Sequence, residues 1–152
     1  MAETIYDALH ESHEIQRSLA RRLLRSRPGT RARIDLFTQL RHELEAHEAA
    51  EERFLYAPML MDDLGLVSTR HALHEHHEID ELVEELQKLD PRKDPWLDKA
   101  RKLSERVHHH LREEEKKFFQ VSGKVLSATQ KQRLAVRYRK DYARMHRSLA
   151  AK

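Results

Sequence analysis

At 152 residues, with 36% charged and 39% hydrophobic side chains but only three Gly and four Pro, the chain has the balance of one helix-rich domain and excludes a turn-rich all-β fold. The absence of cysteine removes disulfides, thiolate nucleophiles, zinc-thiolate sites and cysteine-held iron-sulfur clusters, so any metal must sit on nitrogen and oxygen, which twelve His and 26 carboxylates offer in quantity. No run approaches the roughly 18 apolar residues of a membrane span, and the polar start MAETIYDALHESHE lacks a signal-peptide core, so the sequence reads as soluble and cytoplasmic.

Helix-breaking residues divide the chain into four long helical segments and a tail. Pro28-Gly29 ends the first segment, the MDDLGL loop at Gly65 the second, Asp90-Pro91 the third and Ser122-Gly123 the fourth. Ser68 is placed to open the third helix, Asp94 followed by Pro95 to start the fourth, and Ser127 with Gln130 to form a capping box for the tail. Short connections between long helices predict an all-α, up-down-up-down four-helix bundle over residues 1–123, with a helical extension over 124–152. The net charge of +3 is unevenly spread: from Lys124 to Lys152 nine Lys or Arg face the single carboxylate Asp141, a local net charge of +8. A solvated, docking face is the favoured reading of that extension. Nucleic-acid or anionic-membrane binding is the less favoured one, because no aromatic-basic readout motif accompanies it.

Periodicity shows which faces turn inward. In the second segment Ile34, Phe37, Leu40, Leu44, His47, Glu51 and Leu55 recur at spacings of three and four, and in the fourth Leu97, Ala100, Leu103, Val107, His110, Glu114 and Phe118 do the same. A constant shift of 63 residues, which carries His47 onto His110, relates the two stripes and also carries His13, Leu19, Ala20 and Leu23 onto His76, Leu82, Val83 and Leu86. The chain is two copies of a helix pair.

The positions that interrupt the apolar stripes are His13, His47, Glu51, His76, His110 and Glu114, each with its repeat mate. Within each HxxxE unit an imidazole and a carboxylate lie one turn apart on one helix face, able to reach the same ion, and the lone His of the preceding helix faces them. Four imidazoles and two carboxylates make a mixed nitrogen and oxygen shell for two redox ions: iron first, manganese next, zinc less favoured because it gives no reason for two bridging carboxylates in one core. One His on an apolar stripe is ordinarily a hydrogen-bonded core residue. Two unpaired carboxylates in the core are too costly for that reading to cover all six, whereas a cation pair neutralises them. His77 is the reserve for His76, on the local echo of SHEI and HHEI, and Glu48 is a possible added oxygen ligand. Glu52 and Glu115 are second partners or surface charges, Tyr56 a packing aromatic or a donor near the metals, and His42, His108, His109 and His146 exposed residues.

On these residues the chain resembles the hemerythrin-like domains, also called HHE cation-binding domains, over about residues 4 to 122. HEAAEERFLYAPML and HLREEEKKFFQ look like that family's two H-x3-E-E helices, and His13 and His76 like its single-His helices. The resemblance implies a four-helix bundle holding a non-haem di-iron centre on His13, His47, Glu51, His76, His110 and Glu114, with Glu51 and Glu114 as bridges. It further implies reaction with oxygen, hydrogen peroxide or nitric oxide. The oxygen carriers of that family have an HxxxH on the third helix, whereas the position four before His76 is Ala72, so redox reaction or sensing is expected over reversible storage. Three readings stay open: a di-iron oxidoreductase, catalase-like or nitric-oxide-reducing; an iron or oxygen sensor without turnover; and a metal-free polar core whose His cluster titrates.

Overall fold

The first helix starts where Thr4 and Asp7 satisfy each other's backbone N–H groups in a reciprocal capping box. A computed structural model describes residues 2–152. It runs through α1 (Ile5–Arg25), α2 (Arg31–Glu51), a π-helical turn (Glu52–Tyr56), α3 (Ala57–Leu60), α4 (Leu66–Lys88), α5 (Asp94–Glu113), a second π-helical turn (Glu114–Phe118), α6 (Phe119–Val125) and α7 (Ala128–Ala150). The bundle is formed by α1, α2 with its continuation α3, α4, and α5 with its continuation α6. Helix α1 packs on α2 and α5, α4 packs on α5, and α7 lies across α1 and α2. Among the described residues no helix is long and apolar enough to cross a membrane.

Local signals set most of these boundaries, with a few departures. Gly29 takes φ +76 in the first connection, a backbone state that suits glycine. Helix α4 begins two residues before Ser68, with Gly65 at its N-cap. A Cβ at Gly65 would meet the Met59 carbonyl oxygen at 2.8 Å, so only glycine lets the two segments pass this closely. The fourth helical segment does not stop at Ser122-Gly123. It runs to Val125, since the Ser122 hydroxyl bonds to Tyr6 at 2.8 Å and the Leu126 N–H closes the last turn on the Ser122 carbonyl. Ser127 and Gln130 form the capping box of α7.

Two apolar clusters fill the bundle. One, built around Leu23, Leu40, Leu86, Trp96 and Leu103, occupies the end carrying the α1–α2 and α4–α5 connections. Arg33 pins that end: only 2% exposed, it donates to Ser26 O (2.6 Å), Ser26 Oγ (3.0 Å) and Pro91 O (2.9 Å) and stacks on Trp96. The other cluster, around Ile5, Leu9, Leu55, Met59, Phe118 and Tyr138, takes in the inner face of α7. Each such apolar side chain stabilises by about 1.5–3 kcal/mol when fully buried. Ile34, the first member of the second stripe, is 49% exposed, and Trp96 rather than Leu97 is the buried aromatic anchor at the start of α5. Between the two clusters lies a polar layer.

Candidate metal centre

That layer contains His13 on α1, His47 and Glu51 on α2, His76 on α4, His110 on α5 and Glu114 at the second π turn, all buried. Their side-chain atoms gather into two groups, His13, His47, Glu51 and Glu114, and Glu51, His76, His110 and Glu114, with the ligand atoms in each group within 4.8 Å of one another. Both groups share the two carboxylates. Across them His13 Nε2 lies 3.2 Å from Glu114 Oε1, His47 Nε2 3.3 Å and His76 Nε2 3.2 Å from Glu51 Oε1, and His110 Nε2 3.5 Å from Glu114 Oε2. Two atoms bound to one ion at about 2.0–2.2 Å stand about 2.8–3.6 Å apart in octahedral or tetrahedral geometry.

Hydrogen bonding divides each imidazole into an outer and an inner nitrogen. The outer Nδ1 atoms of three His face carboxylates and must donate: His13 to Glu115 (2.7 Å), His76 to Glu52 (2.8 Å) and His110 to Glu75 (2.9 Å). The fourth, on His47, meets the Tyr138 hydroxyl of α7 at 2.8 Å. Such outer partners fix ring orientation and raise the basicity of the nitrogen that faces inward. The inner atoms are another matter: His13 Nε2, His47 Nε2, both Glu51 oxygens and Glu114 Oε1 are buried without a hydrogen-bond partner. His76 Nε2 and His110 Nε2 point at each other across 3.1 Å. Five orphaned lone-pair atoms in one layer would be heavily penalised in a plain polar core. The donor set fits a pair of cations.

Electrostatics agree with that fit. Burial opposes a charge on His13, but the Glu114 and Glu115 carboxylates facing its two nitrogens outweigh it and raise its pKa to about 9. Against burial, the neighbouring His47 imidazole holds the Glu51 carboxyl well below its ordinary range, while burial and the Glu51 charge push Glu114 up. The pocket concentrates negative charge and demands positive charge in return.

The two halves match in their ligand atoms and in the carboxylates behind the single-His rings, and differ beyond that. Glu52 and Glu115, repeat mates, hold the two single-His rings, each across the bundle from the other half of the repeat. Glu75 holds His110, but its repeat mate is Ser12, too short to do the same, and Tyr138 supplies the hydroxyl that His47 meets. The Tyr56 hydroxyl, also buried, donates to Glu114 Oε2 and lies 3.3 Å from His76 Nε2. Its repeat mate Phe119 stacks on His13 with ring centroids 5.8 Å apart and has no hydroxyl to offer.

Three sequence expectations need correction. His77 turns outward, 67% exposed, and pairs with Glu81 at 2.7 Å, because the helical register that aims His76 inward points its neighbour away. Glu48 is buried but belongs to neither group. It faces Asp80, and burial followed by that contact drives its pKa well up, outweighing the pull of the nearby His76 charge. His42, His108, His109 and His146 are half-buried rather than exposed, and His146 bonds to Glu43 at 3.0 Å. Glu43, which the sequence did not single out, is 4% exposed and also accepts from Ser12 (2.6 Å) and Tyr142 (2.7 Å). It ties α7 to α1 and α2 beside the site. Its partners lie 31 to 103 residues away, beyond any local signal.

Comparison with known proteins identifies the fold and the family. A solved structure of a hemerythrin HHE cation binding domain-containing protein from Mycobacterium kansasii superimposes with a TM-score of 0.85 at 20% identity, covering 95% of this chain and 88% of that one, which shows a shared fold. A DNA nickase of Nostoc sp. is 28% identical over 115 residues, 76% of this chain, and the chain spans only 32% of that protein's length. The model of the hemerythrin HHE cation binding domain matches residues 4–121, and the chain belongs to that family.

Proposed function

We propose that the chain binds two iron ions and reacts with a small oxidant, oxygen, hydrogen peroxide or nitric oxide, with peroxide or nitric oxide detoxification as the outcome. The observation that carries this reading is the convergence of five buried, unpartnered donor atoms on one layer. His13 and His47 would hold one ion, His76 and His110 the other, with Glu51 and Glu114 shared between them. Nitrogen and carboxylate donors without thiolate suit iron, then manganese, with zinc third. When bound, the iron pair supplies one-electron steps and coordination positions not filled by protein.

The residues around the site do the rest. Glu115, Glu52, Glu75 and Tyr138 keep the four inner imidazole nitrogens aimed inward. Burial and the two carboxylates push the Tyr56 pKa well up, so its hydroxyl stays protonated and can donate a hydrogen bond to an oxidant seated beside Glu114. The two apolar clusters exclude water from both ends of the layer. Oxygen evolution from peroxide, or nitric oxide consumption, by iron-loaded protein and its loss in Glu51→Ala and Glu114→Ala test the reading; turnover retained in both variants would remove it.

A second reading, a metal-responsive binding module without turnover, draws on α7. Its outer face carries exposed Arg133, Arg137, Lys140, Arg144 and Arg147 at spacings of three and four, and its inner face touches His47 through Tyr138. Similarity to a DNA nickase makes duplex DNA the polyanion to try. Binding that differs between iron-loaded and chelated protein and weakens steeply with salt would favour this reading over the first.

A further inference from the structure

The repeat makes the two candidate ion positions comparable residue by residue, and the comparison separates them. On the His13 and His47 side, Leu9 is fully buried, Phe119 covers the His13 ring, and α7 closes over His47. The 63-residue shift carries Leu9 onto Ala72, and there the filling is lost. A cavity of about 210 Å³ runs between Ala72 and Phe118 and reaches His110 and Glu114. Its rim carries Val67, 77% exposed, and the well-exposed side chains of His71 and Lys117. Among the described residues no further helix lies over this face, since α7 packs on α1 and α2.

We infer that Ala72 opens an approach to the layer, so that a small neutral oxidant meets the His76 and His110 position and not the His13 and His47 position. This rests on the proposed reading of the layer as an ion pair. The chemistry fits the geometry: Ala72 and Phe118 make apolar walls, and the passage ends beside Glu114, the carboxylate that holds the Tyr56 hydroxyl. The half on the His13 and His47 side keeps its ligands buried, while the open half has both the approach and the Tyr56 hydroxyl. Size selection follows, because the passage holds only about 210 Å³.

The test closes and probes the passage separately. A cavity of about 150 Å³ accepts a benzene molecule, so the ring of Ala72→Phe can occupy this one without moving the helices, and Ala72→Leu is the smaller plug should Phe disturb folding. With ferrous protein and nitric oxide as probe in stopped flow, both plugs should leave iron per chain unchanged and slow binding by about tenfold or more. Binding at the parent rate in a plugged variant would overturn the inference. Independently of metal, Ala72→Cys introduces the chain's sole thiol. In metal-free protein that thiol should react readily with methyl methanethiosulfonate but about tenfold or more slowly with a bulky fluorophore maleimide, each normalised to Val67→Cys at the rim. Equal relative rates, or no reaction with either reagent, would refute a size-limited passage. A parent chain that takes up no iron would end the ion-pair reading alone, and the thiol rates would still decide whether the passage exists.

Discussion

Replacing Tyr138 by Phe removes one oxygen atom from α7 and leaves the ring that packs at 5.8 Å from His47 and 5.7 Å from Tyr142. What is lost is the 2.8 Å bond to His47 Nδ1. A buried polar atom left without its partner costs about 1–3 kcal/mol, and loss of an outer partner of a metal-binding imidazole lowers affinity about 10–100-fold. The second range corresponds to about 1.4–2.7 kcal/mol, so the two estimates agree. Because Tyr138 touches only the His13 and His47 group, the loss should fall on one of two binding steps. Anaerobic calorimetric titration with ferrous iron reads both: the account expects one affinity reduced by about 10–100-fold and the other preserved. Two unchanged affinities would show that α7 does not support the site, and two equally weakened ones would show that it acts on the bundle as a whole.

Other outcomes follow from the same structure. His13 has its pKa raised from 6.5 to about 9, so its pairing stabilises the metal-free fold fully below about pH 6.5 and is lost as pH rises through about 9; chemical denaturation across that window should show stability falling with pH, and a rise would contradict the pairing. Metal binding competes with that proton, so ferrous affinity should increase over the same window, read by titration at fixed ionic strength. Arg33→Ala leaves the Ser26 and Pro91 carbonyls without their donor and uncovers Trp96, and should cost about 2–4 kcal/mol in urea unfolding; a loss under about 0.5 kcal/mol would mean the guanidinium is not an anchor. Iron at about 100 times its dissociation constant adds about 2.7 kcal/mol, which for a domain of this size raises Tm by about 5–10 °C over chelated protein. An unchanged Tm would argue against metal in the folded core.

The helices were legible because Pro, Gly and capping residues mark their ends, and the six ligand candidates because they interrupt stripes that repeat at a fixed shift. Periodicity also separates His76 from His77, since one residue of helix rotation decides which faces the core. What stayed hidden lies across long sequence distances. Glu75, Tyr138 and Glu43 act on residues 35, 91 and up to 103 positions away, and nothing local distinguishes them from the many charged and aromatic side chains around them. The π turns at Glu52–Tyr56 and Glu114–Phe118 were equally silent, although they follow the two HxxxE units and bring Tyr56 to Glu114. The inequality of the halves came from reading the repeat against the structure: Leu9 against Ala72, Phe119 against Tyr56, Ser12 against Glu75.

The proposed function stands on two ions held by shared carboxylates in the polar layer. Elemental analysis after anaerobic ferrous loading and desalting tests it most directly, on the parent chain and on Glu51→Gln combined with Glu114→Gln. The account predicts about two iron per chain in the parent and essentially none in the double variant, which keeps the shape of both side chains but not their charge. No iron in the parent, or equal iron in both, would contradict it.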